Sequence, residues 1–108
     1  MGSQTLLQVE FDRAEHARAK GNEGRARVCA RRAAGIAIRE YLTRRGTLIS
    51  NTNANDLLNL LKDDPLLPPG LILITEHLTM RVTKEFNLPV EADLIAEAHI
   101  LCDWLLNI

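Results

Sequence analysis

Between Asn22 and Arg45 the chain runs NEGRARVCARRAAGIAIREYLTRR without an interior proline. That pattern predicts one helix of more than six turns, around which a short chain must fold. At 100° per residue Ala26, Ala30, Ala33, Ala34, Ala37 and Tyr41 share one side, a small-residue face that lets neighbouring backbones approach closely. Cys29 with Ile36, and Val28 with Ile38 and Leu42, widen the apolar arc on either flank. A helix apolar over more than half its circumference is expected to touch several neighbours. Arg25, Arg32 and Arg39 lie a heptad apart on one remaining strip, with Arg27 and Arg31 on another. Such a strip is either a solvated face with snorkelling stems or a surface for anions.

The flanking segments supply the neighbours. Gln4 to Ala19 carries Leu7, Phe11 and Ala14 at core spacing, and Gly21-Asn22 combines a left-handed C-cap with a good N-cap. A helical hairpin follows. Gly46 closes the long helix, and a polar loop from Leu48 to Asn55 leads to a short leucine-rich helix over Ala54 to Lys62, stopped before Pro65. Pro68-Pro69-Gly70 opens a further helix, with Leu71, Ile74 and Leu78 as one stripe and Leu73, His77 and Met80 as a second. Lys84 to Val90 reads as a connector in which Phe86 and Leu88 plug the bundle end. The last helix, Glu91 to Leu106, has a core stripe of Leu94, Ala98, Leu101 and Leu105, while Ile100 and Trp104 face elsewhere. The fold class expected is therefore all-α: one domain over residues 1–108, an antiparallel up-and-down bundle of four to five helices.

Composition narrows the function classes. The chain has 108 residues, 46% hydrophobic and 25% charged, which is ordinary for a globular domain. Only Phe11, Tyr41, Phe86 and Trp104 are aromatic, too few for the stacking platforms of many single-strand binders. No apolar run is long enough to span a membrane and no secretory leader is visible, so a cytoplasmic protein without membrane contact is expected. Cys29 and Cys102 sit in apolar helical patterns and read as buried free thiols. His16, His77 and His99 lack metal-ligand spacing, so neither a metal nor another cofactor is expected. The net charge is −1 but uneven: residues 1–46 hold ten Lys/Arg against five acids, and the remainder three against nine. Either the halves neutralise each other or the basic half meets an anionic partner.

The order of long helix, Gly21-Asn22 turn, long alanine-rich helix with Ile38, Tyr41 and Leu42, short segment Asn55 to Leu61 and final IAEAHILCDWL resembles the HEPN-like helical bundle family over nearly the whole chain. The resemblance implies a four- or five-helix bundle, frequent homodimers, and roles in RNA cleavage, RNA binding or partnering a small nucleotidyltransferase in toxin–antitoxin-type systems. The family's ribonucleases carry an arginine followed, after four to six residues, by a histidine. No arginine stands five to seven residues before His16, His77 or His99. No catalytic residue is therefore assigned. The expectation is a non-enzymatic HEPN-like binding or regulatory module, homodimeric, acting with a nucleotidyltransferase-type protein or RNA. Arg25, Arg32 and Arg39 are the candidate anion or nucleic-acid contacts, and Leu73, His77, Ile100 and Trp104 the candidate subunit contacts, Trp104 because tryptophans anchor many interfaces. The alternatives are a protein–protein adaptor without nucleic-acid affinity, and a divergent ribonuclease of the HEPN type using Arg13 and His16, an i, i+3 pair.

Overall fold

A computed structural model describes residues 3–47, 53–80 and 92–107, which form five helices and, among the described residues, no strand. The proposed plug residues Phe86 and Leu88 lie outside the described residues. Helix α1 spans Ser3–Ala19 and α2 spans Glu23–Arg44. Gly21 has φ +79°, a conformation only glycine adopts cheaply, and the Asn22 and Gly21 amides bond back to the Ala17 and Arg18 carbonyls at 2.8 and 2.9 Å. The Asn22 side chain then accepts from the Arg25 amide, so the turn that ends α1 also starts α2. At the far end of α2, Gly46 (φ +81°) repeats the device: the Thr47 and Gly46 amides reach the Leu42 and Thr43 carbonyls.

The three shorter helices complete the bundle. α3 spans Ala54–Leu61, with Asn53 accepting from the Asn55 and Asp56 amides. α4 spans Pro69–Thr79, with proline at its first turn, where a missing N–H costs nothing. α5 spans Leu94–Leu106. It starts later than the Glu91 expected, because Asp93 stands outside the helix as its cap and accepts from the Ala96 amide at 3.2 Å.

As the small-residue face requires, α2 is central and packs against all four other helices. Ala26, Ala30, Ala33, Ala34 and Ala37 are fully buried, and Tyr41 nearly so. One contiguous core joins them to Leu7 and Phe11 of α1, Leu57 and Leu58 of α3, Leu78 of α4, and Leu101 and Leu105 of α5. Both cysteines are buried free thiols. The Cys102 thiol donates to the Ala33 carbonyl at 3.7 Å, and burial pushes its pKa up to about 12, so it stays protonated and inert. Among the described residues no helix is long and apolar enough to cross a membrane.

Candidate functional site

The arginines of the basic half divide into two kinds. Arg18, at the end of α1, forks onto Glu23 at 2.7 Å and Asp93 at 2.9 Å, tying the hairpin to the start of α5. Arg45 reaches Asp64 at 2.7 Å, where the Tyr41 hydroxyl also donates to the same carboxylate oxygen. Burial alone would raise the Asp64 pKa. The Tyr41 hydroxyl, the Leu66 amide and Arg45 outweigh it and hold the carboxyl below its ordinary range. Part of the charge asymmetry is thus neutralised between the halves. Arg25, Arg32 and Arg39 take no part in this: all three are exposed, and no ion pair among the described residues reaches them.

Arg32 and Arg39 line an open recess of about 560 Å³. Its other walls are Arg31, the exposed Val28, Ile36, Glu10 of α1 and the first residues of α3, Asn53 to Asn55. The recess has this shape because α3 begins directly on α2 at Gly35. A Cβ there would stand 2.9 Å from the Ala54 Cβ and 3.1 Å from its Cα, so only glycine allows the approach. The positive end of the α3 dipole therefore opens onto the same space as the arginines. Arg31 is half-buried and donates through Nε to the Leu78 carbonyl at 2.6 Å, completing the C-terminal end of α4. Burial, and secondarily Arg27, lower its pKa, but a guanidinium remains charged at any physiological pH.

One carboxylate shares the recess. Glu10 Oε2 lies 3.6 Å from Arg13, and Oε1 is buried without a hydrogen-bond partner. The combination of cations and an aliphatic wall beside a helix start, whose Asn55 and Asp56 amides already donate to Asn53, suits a phosphate-bearing ligand with an apolar part, held chiefly by the guanidinium groups.

The heptad strip is divided. Arg25 lines a different recess, of about 420 Å³, together with Arg13, His16, Lys20 and Asn22. Arg13 and His16 thus do share a surface as their spacing predicted. Arg31 and Gly35 were not singled out from the sequence. Arg31 reads locally as part of a second strip, and only the fold brings α4 and α3 to it.

The candidate subunit contacts lie on α4 and α5. Leu73 and Ile100 are 52% and 54% exposed. His77 Nδ1 is 2.7 Å from Glu97 Oε1 and joins the two helices. Trp104 is half-buried with its ring 5.7 Å from that of Tyr41, so it packs against α2 as well as edging the surface. His99 stacks on Phe11 of α1 at 3.6 Å. Among the described residues no cluster of three or more His, Cys, Asp or Glu could hold a metal ion.

The fold and recess define a helical bundle with an open cationic face. The chain matches no protein-family profile, no curated protein and no solved structure.

Proposed function

We propose that this chain is a non-catalytic HEPN-like binding module that takes RNA on the exposed face of α2. The observation that carries the reading is that Arg32 and Arg39, exposed and without acidic partners among the described residues, open onto one recess with the start of α3. Arginines that stabilise a fold are spent on carboxylates or carbonyls, as Arg18, Arg31 and Arg45 are here. Two that are left unspent beside a helix start favour a phosphate. The reading is tested by titrating labelled single-stranded RNA at low and physiological salt against the wild type and an Arg32→Glu/Arg39→Glu double variant. Binding should weaken with salt and fall on the order of 100-fold in the variant, since each charge-assisted contact contributes about 1.5–3 kcal/mol. Unchanged binding in a folded variant sinks it.

A second reading, a homodimer or an adaptor for a nucleotidyltransferase-type protein, is favoured by the exposure of Leu73 and Ile100 on helices otherwise committed to the core. Because Trp104 also packs on Tyr41, the clean probe is Leu73→Glu/Ile100→Glu. Sedimentation should show a wild-type dimer converted to monomer. A wild-type monomer at high concentration removes the homodimer.

A further inference from the structure

We infer that the recesses along the seam between α1 and α2 together form a track for an extended single strand of RNA, with the recess at the hairpin end as a second phosphate subsite. The inference rests on the RNA reading above and deepens it. Part of the recess walls follows two helical stripes, the start of α3 closing the middle recess beside them. On α1 they are Leu6, Glu10, Arg13, Ala17 and Lys20, steps of three and four that keep one face. On α2 they are Arg25, Val28, Arg32, Ile36, Arg39 and Thr43, with the same steps. The antiparallel hairpin pairs these stripes end to end: Lys20 with Arg25, Glu10 with Arg32, and Leu6 with Arg39 share recesses. Ile36 and Arg39 line both the middle recess and the one beyond it, so the spaces adjoin.

Charge and apolarity alternate along this seam. Arg25, Arg32 and Arg39 recur about every 10.5 Å at 1.5 Å rise per residue, a run of about 21 Å. Lys20 answers from α1, with Arg13, which also faces Glu10, beside it. Between the cations stand Ala17, Val28 and Ile36, aliphatic walls against which bases can lie. The two carboxylates on the seam, Glu10 and Glu40, each face an arginine, Arg13 at 3.6 Å and Arg44 at 3.8 Å. A polyanion with regular charge spacing and flat apolar groups between charges fits this alternation. At about 3.4 Å per stacked phosphate, 21 Å spans roughly six nucleotides, and fewer if the strand is stretched, within the ~4–16 common for single-strand sites. A ligand confined to the middle recess would leave Lys20 and Arg25 idle.

The test uses the full chain and labelled oligouridylates of two, four, six and ten nucleotides, each with a 5′-phosphate, with a ten-residue polyglutamate as competitor. Affinity should rise at least tenfold from the dinucleotide to the hexanucleotide and then level off. The salt slope should steepen from about −1.4 for two contacted phosphates to about −2.8 for four. Arg13→Glu/Lys20→Glu should cut hexanucleotide affinity at least tenfold while changing the dinucleotide less than twofold; the Ala pair serves if the Glu pair fails to fold. Equal affinity for two and ten nucleotides, or no effect of the Arg13/Lys20 change, overturns the track while leaving the Arg32/Arg39 recess standing. Polyglutamate competing as well as RNA overturns the ligand class. No RNA binding by the wild type overturns both readings.

Discussion

Arg18 and Arg45, near the two ends of α2, and Arg32 and Arg39 on its exposed face differ in what the fold asks of them. At one end Arg18 spans from α1 to Glu23 and Asp93, and at the other Arg45 closes on Asp64 beside Tyr41. Each holds together segments distant in sequence. Arg32 and Arg39, midway, meet no ion-pair partner among the described residues: they are exposed and face an open recess, whereas their neighbour Arg31 is held on the Leu78 carbonyl. The difference teaches that a charge excess counted over half a chain overstates what is available to a partner. Only the cations left over after the bundle has tied its own ends remain for binding.

The comparison predicts a graded series in thermal unfolding, largest first. Asp64→Ala should destabilise by about 2–3 kcal/mol, because its carboxylate, 8% exposed, is the acceptor for the Tyr41 hydroxyl, Arg45 and the Leu66 amide. Tyr41 itself is buried, so its hydroxyl would lose the acceptor it donates to. A loss below about 0.5 kcal/mol would show that the ends are not structural and break the comparison.

Next in size is Gly35→Ala. The new methyl must push α3 off α2 or bend it, at about 1–3 kcal/mol for overpacking, offset by about 1 kcal/mol gained in helix propensity. A net loss of about 1 kcal/mol is expected, and with it a weaker grip on RNA, since the start of α3 is one wall of the recess. A variant that is destabilised but binds RNA normally would separate α3 from the site.

A third effect is pH-dependent. Hydrogen bonds from Arg18 hold the Glu23 and Asp93 carboxyls below their ordinary values, and Asp64 is depressed as described. A carboxyl whose folded pKa lies below its unfolded one adds stability above the unfolded value, about 4, and loses it as pH falls through the folded value. Stability should therefore be level from neutral pH to about 5 and decline below about 4. Arg18→Ala should remove part of that decline at a cost of about 0.5–1 kcal/mol at neutral pH, kept small because Glu23 and Asp93 are 41% and 56% exposed. An unchanged acid limb in Arg18→Ala would place the pH dependence in Asp64 alone.

What was legible in the sequence follows the range of the interactions. The bounds of α1 and α2 were readable because Gly21, Asn22 and Gly46 act on their own neighbours, and the alanine face because helical period is local. The heptad strip was readable as a strip but not as a site. Its first member is claimed by the end of α1, through Arg13, His16 and Lys20, and its other two by the start of α3. Those partners lie across turns whose geometry no spacing rule reports. For the same reason no spacing along α5 points from Glu97 to His77 of α4, with which the fold pairs it. Gly35 carried no signal because a glycine inside a helix looks like a weakness until the backbone that needs its missing Cβ is seen.

The smallest predicted effect is the most discriminating. Arg32→Ala and Arg39→Ala, singly, should leave the unfolding temperature within the equivalent of about 0.5 kcal/mol, as exposed positions without partners do. The sign should also depend on salt. Arg25, Arg32 and Arg39 stand about 10.5 Å apart along the helix, near the ~10 Å screening length of 0.1 M salt. At low ionic strength removing one relieves mutual repulsion and should stabilise slightly, and at high salt the difference should vanish. Saturating hexanucleotide reverses the order: bound RNA should raise the wild-type melting temperature and raise that of either variant less, because only the folded state binds. If instead Arg32→Ala lost more than 1 kcal/mol without RNA, the middle arginines would be structural like those at the ends, and the surface assigned to RNA would be a brace of the bundle.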